Sequence, residues 1–155
     1  MIKVLNSGIS TSIQDMGRPG YFHLGIPMGG AMDRFSLKVA NLLVGNNEDE
    51  AGLECVFIGP KIEFQKECWF AVTGADIPIF INETPQISWK ANKAKKGDIL
   101  SFGYLKSGAR IYISFSGGIT TKKNLGSRST YTIGSLGGLN GENVKDNDTI
   151  PIGEK

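Results

Sequence analysis

Apolar residues along this chain recur at alternate positions in short runs, and Gly, Pro, Asn and Asp bound each run. The clearest is "ARIYISF" at 109–115. There Ile111, Ile113 and Phe115 share one face and Tyr112 and Ser114 the other, the period of a half-buried strand. The same pattern predicts strands at 2–5, 10–14, 53–57, 61–65, 68–74, 77–82, 86–89, 98–102, 109–117 and 149–152. One segment has a different period. After Asp33, a good N-cap, Phe35, Val39, Leu42 and Leu43 fall at helical spacing, and Gly45 suits the C′ position. This predicts one helix with Arg34 and Lys38 in solvent and Asn41 on the buried side, within reach of a neighbouring turn. "ANKAKKGD" at 91–98 reads as a solvated basic hairpin loop, and Glu54 alternates out of the apolar face of "LECVF" toward solvent. Many short strands and one helix make a mainly β barrel or sandwich, a single domain over 1–155 with no visible linker or repeat.

Composition changes this picture at one point. Glycine supplies 21 of 155 residues, about twice its average usage, so the turns must be numerous and tight or the backbone must approach other groups closely. A net charge of +2, scattered along the chain, gives no electrostatic footprint for nucleic acid or a membrane surface. No run of about 18 apolar residues is present to cross a membrane. The opening "MIKVLNSG" lacks the apolar core of a signal peptide, so a cytoplasmic location is expected. Cys55 and Cys68 lie in strand-like contexts without metal-ligand spacing and are expected to be buried and reduced.

Familiar catalytic signatures are missing: there is no P-loop, no GxGxxG after a strand, no GxSxG and no His/Cys cluster for a metal. His23 is the single histidine. Any chemistry must therefore use carboxylates, amides, guanidinium groups, hydroxyls and backbone N–H groups. These concentrate in two glycine-rich stretches. The first, 14–33, holds Gln14, Asp15, Arg18, His23 and Asp33. The second, 116–138, holds Gly117, Gly118, Ser127, Arg128 and Tyr131. Loops mounted on stiff strands commonly carry sites. Spacing alone leaves a plainer reading open, in which Asp15 and Arg18 pair across a turn and "SGG" at 116–118 is a β-bulge.

The residues also carry a resemblance. "SIQDMGRPGYFHLGIPMGGAMDRFSLKVANLLVGNNEDEAGLECVFIGPKIEF" resembles the opening of the biotin-dependent carboxyltransferase / allophanate hydrolase subunit 2 family. "VTGAD", "GDILSFGYLKSGARIYISFSGGI", "LGSRSTYTIGSLGG" and "DNDTIPIG" continue the match in register. Members include the C-type component of 5-oxoprolinase, KipA and part of urea carboxylase. The resemblance implies a cyclophilin-like β-barrel and a site shared with a subunit 1-like partner of the KipI type, which in 5-oxoprolinase is the B-type component. Two features depart from the family: members are usually about twice this length, and Glu142 stands where an arginine is typical.

The implied substrates are resonance-stabilised amides, which need an acceptor at N–H and donors at the carbonyl oxygen. On that reading Gln14 and Asp15 are acceptors. Arg18, Arg128 and the Gly117–Gly118 N–H groups are donors, and Asp33, Asn41, Ser127 and Tyr131 help to bind substrate. Arg128 suits a carboxylate. No cofactor or metal is expected on this chain itself; ATP, or biotin, would arrive through partners. Three functions stay open: a component of ATP-dependent 5-oxoprolinase with a LamB/YcsF-type subunit, a carboxyltransferase acting on a ureido group, and a KipA-like regulator. Either a further C-terminal half or a second copy of the chain would complete the assembly.

Overall fold

A computed structural model describes residues 1–154. Eleven strands form two antiparallel sheets. β1 (Ile2–Asn6), β4 (Lys61–Phe64), β6 (Ile79–Ile81), β7 (Thr84–Gln86), β9 (Ile99–Phe102) and β11 (Thr149–Ile150) make one, in the order β11-β1-β4-β9-β6-β7. β2 (Thr11–Gln14), β3 (Gly52–Val56), β5 (Cys68–Asp76), β8 (Ala91–Ala94) and β10 (Ser107–Phe115) make the other, in the order β2-β3-β10-β5-β8. One core lies between them. Ile2, Val4, Ile62 and Leu100 come from the first sheet and Ile13, Leu53, Phe70, Ile111, Ile113 and Phe115 from the second, all without solvent exposure. The alternation read in "ARIYISF" gives the core face of β10, but the strand is not half-buried: Tyr112 and Ser114 on its other face are also without exposure, on the side where the helix packs. The expected mainly β architecture with one α-helix is present.

Three further local expectations need correction. The first concerns α1 (Arg34–Leu43), which begins and ends where its caps predict: Asp33 accepts from the Ser36 N–H at 3.0 Å and Gly45 follows with φ 73°. The helix is turned, however. Ser36, Leu37, Ala40 and Asn41 face inward while Phe35 and Leu42 are exposed. Small residues at i, i+4 spacing let the helix lie close on β5 and β10, where Thr73 Oγ1 donates to the Ser36 carbonyl at 2.7 Å. Phe35 instead meets the Trp89 ring, 6.5 Å away.

The second correction is at 84–94. The strand expected at 86–89 lies earlier: β6 turns at once through Asn82 and Glu83, both at positive φ, into β7, which ends at Gln86, and 87–89 form no strand. Half of the expected basic loop is instead strand β8, paired with β5. Lys93 lies opposite Trp69, with its Nζ 2.7 Å from Glu67, and Asn92 and Ala94 point inward. Only 95–98 is the turn.

Glu54 is the third. Its side chain is 12% exposed and gathers Tyr112 OH at 2.7 Å, the Met32 N–H at 2.8 Å and Arg110 Nε at 3.7 Å. The same Tyr112 oxygen accepts the Asp33 N–H at 2.7 Å, which joins the helix start to both central strands. Burial, ahead of the Glu54 contacts, raises the Tyr112 phenol above its ordinary value. Cys55 and Cys68 are free and buried, as expected, and burial pushes the Cys55 thiol up to about 12.

Candidate functional site

β2 ends at Gln14, and the chain turns through Asp15 to Gly17. From the other side of the sequence, 124–130 folds back over the same turn. The contact between them centres on one carboxylate. Asp15 Oδ1 accepts from the Gly17 N–H at 2.8 Å, Ser127 Oγ at 2.6 Å and Ser129 Oγ at 2.7 Å, while Oδ2 accepts from the Arg128 N–H at 2.6 Å. The Asp15 N–H in turn donates to Ser129 Oγ at 2.9 Å. The two glycine-rich stretches are thus joined, and Asp15 and Arg128 lie side by side.

Arg18 reinforces the junction. It is 1% exposed, donates from Nη2 to the Ser129 carbonyl, and reaches the Asn124 carbonyl from Nε at 3.4 Å. It makes no direct ion pair with Asp15 among the described residues, so the turn-spanning pair is not what holds the loop. Burial lowers the Arg18 guanidinium below its ordinary value, and the nearby Asp15 charge opposes that shift. The close fit explains Gly137. A Cβ there would lie 2.0 Å from the Ser129 carbonyl oxygen and 2.9 Å from Arg18 Nη2, at φ 65°.

This geometry redistributes the roles expected from sequence. Gln14, Asp15 and Arg18 are all buried; Gln14 Nε2 donates to Ser12 Oγ at 3.0 Å, and the Asp15 oxygens are filled by the chain's own donors. Direct contact of these three with a substrate is closed in this conformation. The Gly117–Gly118 donors are also spent, the first on Asn46 Oδ1 at 2.9 Å and the second on the Phe115 carbonyl at 2.9 Å. Asn41 has no exposed surface and bonds the 46–50 turn through the Glu50 carbonyl at 2.7 Å, as its helical position suggested, so a substrate cannot reach it. Asp33 is used as the helix cap. Ser127 is bound to Asp15, Tyr131 pairs with Leu136 across a separate turn, and His23 is exposed in a 3-10 turn at Phe22–Leu24. Arg128 is only half-buried. Its Nε donates to the Thr121 carbonyl at 2.8 Å.

Thr121, whose carbonyl Arg128 holds, lines a cleft of about 640 Å3, within the size range of small-molecule sites; Arg128 itself is not part of the lining. Thr121, Lys122, Asn124, Gly137 and Asn140 are among the residues that line it, and the Gly137 N–H donates to Asn124 Oδ1 at 2.9 Å. The cleft falls within the second stretch, 116–138, and its continuation. Sequence reasoning passed over Thr121, Lys122 and Asn124 because "TTKKN" carries no motif, only polar residues following a strand. Among the described residues there is no cluster of His, Cys, Asp and Glu able to hold a metal, and no helix long and apolar enough to cross a membrane.

The family model described as "Carboxyltransferase domain, subdomain A and B" matches residues 24–155. The chain is 41% identical over 152 residues to the urea amidolyase of Saccharomyces cerevisiae, covering 96% of this chain and 8% of that protein. It is 36% identical over 154 residues to the C-type component of the Escherichia coli 5-oxoprolinase, covering 99% of this chain and 50% of that one. The crystal structure of the Kluyveromyces lactis urea amidolyase superposes with a TM-score of 0.94 at 40% identity, over 97% of this chain and 9% of that one. The chain thus spans half of one relative and under a tenth of the others. Matched by that family model over most of its length, and sharing the fold of a solved relative, the chain belongs to the carboxyltransferase domain family, subdomains A and B.

Proposed function

We propose that the chain is a component of a multi-subunit 5-oxoprolinase, taking part with a subunit 1-like partner and a LamB/YcsF-type subunit in the ATP-dependent opening of 5-oxoproline to glutamate. The observation that carries this reading is the junction at Asp15, which sets half-buried Arg128 beside a cleft whose lining has one ammonium group and no carboxylate. Such a cleft suits an amide that bears a negative charge, as 5-oxoproline does, better than neutral urea. Asp15 and Arg18 act as positioning residues that hold the 124–129 loop. Arg128 offers its guanidinium nitrogens to substrate oxygen, stabilising charge as it builds on the lactam carbonyl. The chain has no phosphate-binding loop, so ATP is handled by the partners, and the assembled enzyme is cytoplasmic.

The test is co-expression with both partners and with a segment matching the remainder of the longer 5-oxoprolinase relative, followed by measurement of 5-oxoproline-dependent ATP hydrolysis. The parent complex is expected to turn over, and Arg128→Ala to lose at least about tenfold in kcat/KM, the scale of one lost charge-assisted contact. Full turnover by the Arg128→Ala complex, or no response to 5-oxoproline, would refute the assignment. The 41% identity to urea amidolyase favours one second reading, carboxyl transfer to a ureido nitrogen with biotin carried on another protein. Urea-dependent, biotin-dependent ATP use in the same assay would select it.

A further inference from the structure

We infer that the outer face of α1, extended by Trp89, is an interface on which a second copy of this chain docks, with the two helices antiparallel about a two-fold axis. Phe35, Val39 and Leu42 stand at i, i+4 and i+7, one stripe along the helix. Their period is that of a face to be covered, yet the chain buries the opposite side, through Ser36, Leu37, Ala40 and Asn41. Phe35 is 70% exposed and Leu42 58%, so no other part of the described chain covers the stripe. Large apolar side chains left side by side in water mark an interaction surface, unlike singly scattered ones.

Beyond the helix, the same face is continued by a residue under strain. Trp89 sits at φ 56°, a left-handed conformation that costs a bulky side chain energy, and its N–H donates to the Val72 carbonyl at 2.8 Å. Asn92 Nδ2 fixes the same loop through the Ile87 and Lys90 carbonyls, at 2.8 and 3.0 Å. The result is an indole 42% exposed beside Phe35, with ring centroids 6.5 Å apart. An aromatic pair already held in place loses little freedom when another surface closes over it.

Charge determines what docks. Arg34 and Lys38 flank the stripe toward its N-terminal end, and exposed Glu48 and Asp49 follow beyond its C-terminal end. Lys38 meets Glu48 at 3.0 Å, whereas Arg34 and Asp49 make no ion pair among the described residues. A cation in the first helical turn opposes the helix dipole, and Asp33 is spent on Ser36, so the helix alone gives no reason for Arg34. An antiparallel second copy does. Its Glu48 and Asp49, and the negative end of its helix, come to Arg34, and the reverse contact follows by symmetry. The stripe is self-complementary in that arrangement, with Phe35 of each copy against Leu42 of the other and Val39 near the axis. A parallel pair would set like charges together. This interface is independent of the 5-oxoprolinase reading.

The test is sedimentation equilibrium of the chain from about 1 to about 500 μM at low salt. The parent is expected to pass from monomer toward twice its mass with no larger species, since a two-fold contact closes on itself. Leu42→Glu places a charge inside that contact and is expected to weaken association at least about tenfold. Its circular dichroism and melting temperature should stay those of the dilute parent, because residue 42 is exposed in the single chain. Arg34→Glu and Glu48→Lys are each expected to weaken self-association about fivefold. An equimolar mixture of these two variants should recover the parental affinity, which only the antiparallel arrangement allows. A parent that stays monomeric, species larger than a dimer, an unaffected Leu42→Glu variant, or no recovery on mixing would overturn the inference. So would a chain that is monomeric alone and covers Trp89 only when the subunit 1-like protein is added, read from indole fluorescence in a Trp69→Phe background.

Discussion

Replacing Asp15 by Asn tests whether one carboxylate holds the two loops together. The side chains are nearly isosteric, so the change is in charge and in hydrogen-bond polarity. If the amide oxygen keeps the three donors now on Oδ1, the new NH2 group faces the Arg128 N–H across 2.6 Å, donor against donor. Losing that charge-assisted bond costs about 1.5–3 kcal/mol. The other three bonds persist to a neutral oxygen and weaken. Arg18, 1% exposed, also loses its nearby counter-charge, which adds on the order of 1–2 kcal/mol, well below the cost of breaking a direct buried pair. Together these give about 4 kcal/mol. For a chain of this length that is a fall of roughly 8–16 °C in Tm. Urea unfolding followed by circular dichroism measures it, with an unchanged m-value showing that the unfolded state is the same. The Arg18 contribution can be isolated: Asp15→Asn with Arg18→Met should be less destabilised than the sum of the single variants, because the stranded charge is then absent. An Asp15→Asn variant within about 1 kcal/mol of the parent, or strict additivity in the double variant, would refute the reasoning.

Other consequences can be measured in the same way. Tyr112→Phe removes the acceptor of the Asp33 N–H and one donor to Glu54, so urea unfolding should show a loss of about 2–3 kcal/mol. Asn41→Ala leaves the Glu50 carbonyl without its 2.7 Å donor in a fully buried site, and a loss of about 2 kcal/mol is expected, with no change in ligand affinity if Asn41 only supports the turn. Stability should fall as pH rises above about 9. The Cys55 thiol is raised to about 12 in the folded chain against 9.0, and the Tyr112 phenol is raised above 10.0, so the unfolded chain releases protons first. Each group contributes a slope of about 1.4 kcal/mol per pH unit within its own window, and the stability they supply is complete below the unfolded values. Chemical denaturation between pH 7 and 10.5 checks the sign; a flat profile would contradict it. Cys55 should also resist thiol reagents in the folded chain and react once it is unfolded.

The strands were legible wherever one face is buried, because alternation is imposed by packing. In β10 the core face of Ile111, Ile113 and Phe115 could be read, whereas burial of Tyr112 and Ser114 on the other face could not; the caps of α1 were readable because Asp33 and Gly45 act locally. The helix face was not. Hydrophobicity selected Phe35 and Leu42, whereas close approach to β5 and β10 required the small residues Ser36, Ala40 and Asn41. β8 was hidden by its lysine, which lies on the outer face over Trp69. Glu54 looked solvent-facing by alternation, yet Tyr112 and the turn before α1 close over it.

For the site, the sequence by itself was enough to identify two glycine-rich stretches with polar groups and a family to which they belong. Those signals are local, or are carried by the order of residues. Which side chains face a ligand was decided by tertiary structure, since the partners of Asp15 come from more than 100 positions away. With those partners in place Gln14, Asp15 and Arg18 are buried as framework, Lys122 is left in the lining of the cleft, and Arg128 is half-buried next to it. A carboxylate is read alike in the sequence whether it meets solvent, substrate or four donors of its own chain, and only the fold chooses among them.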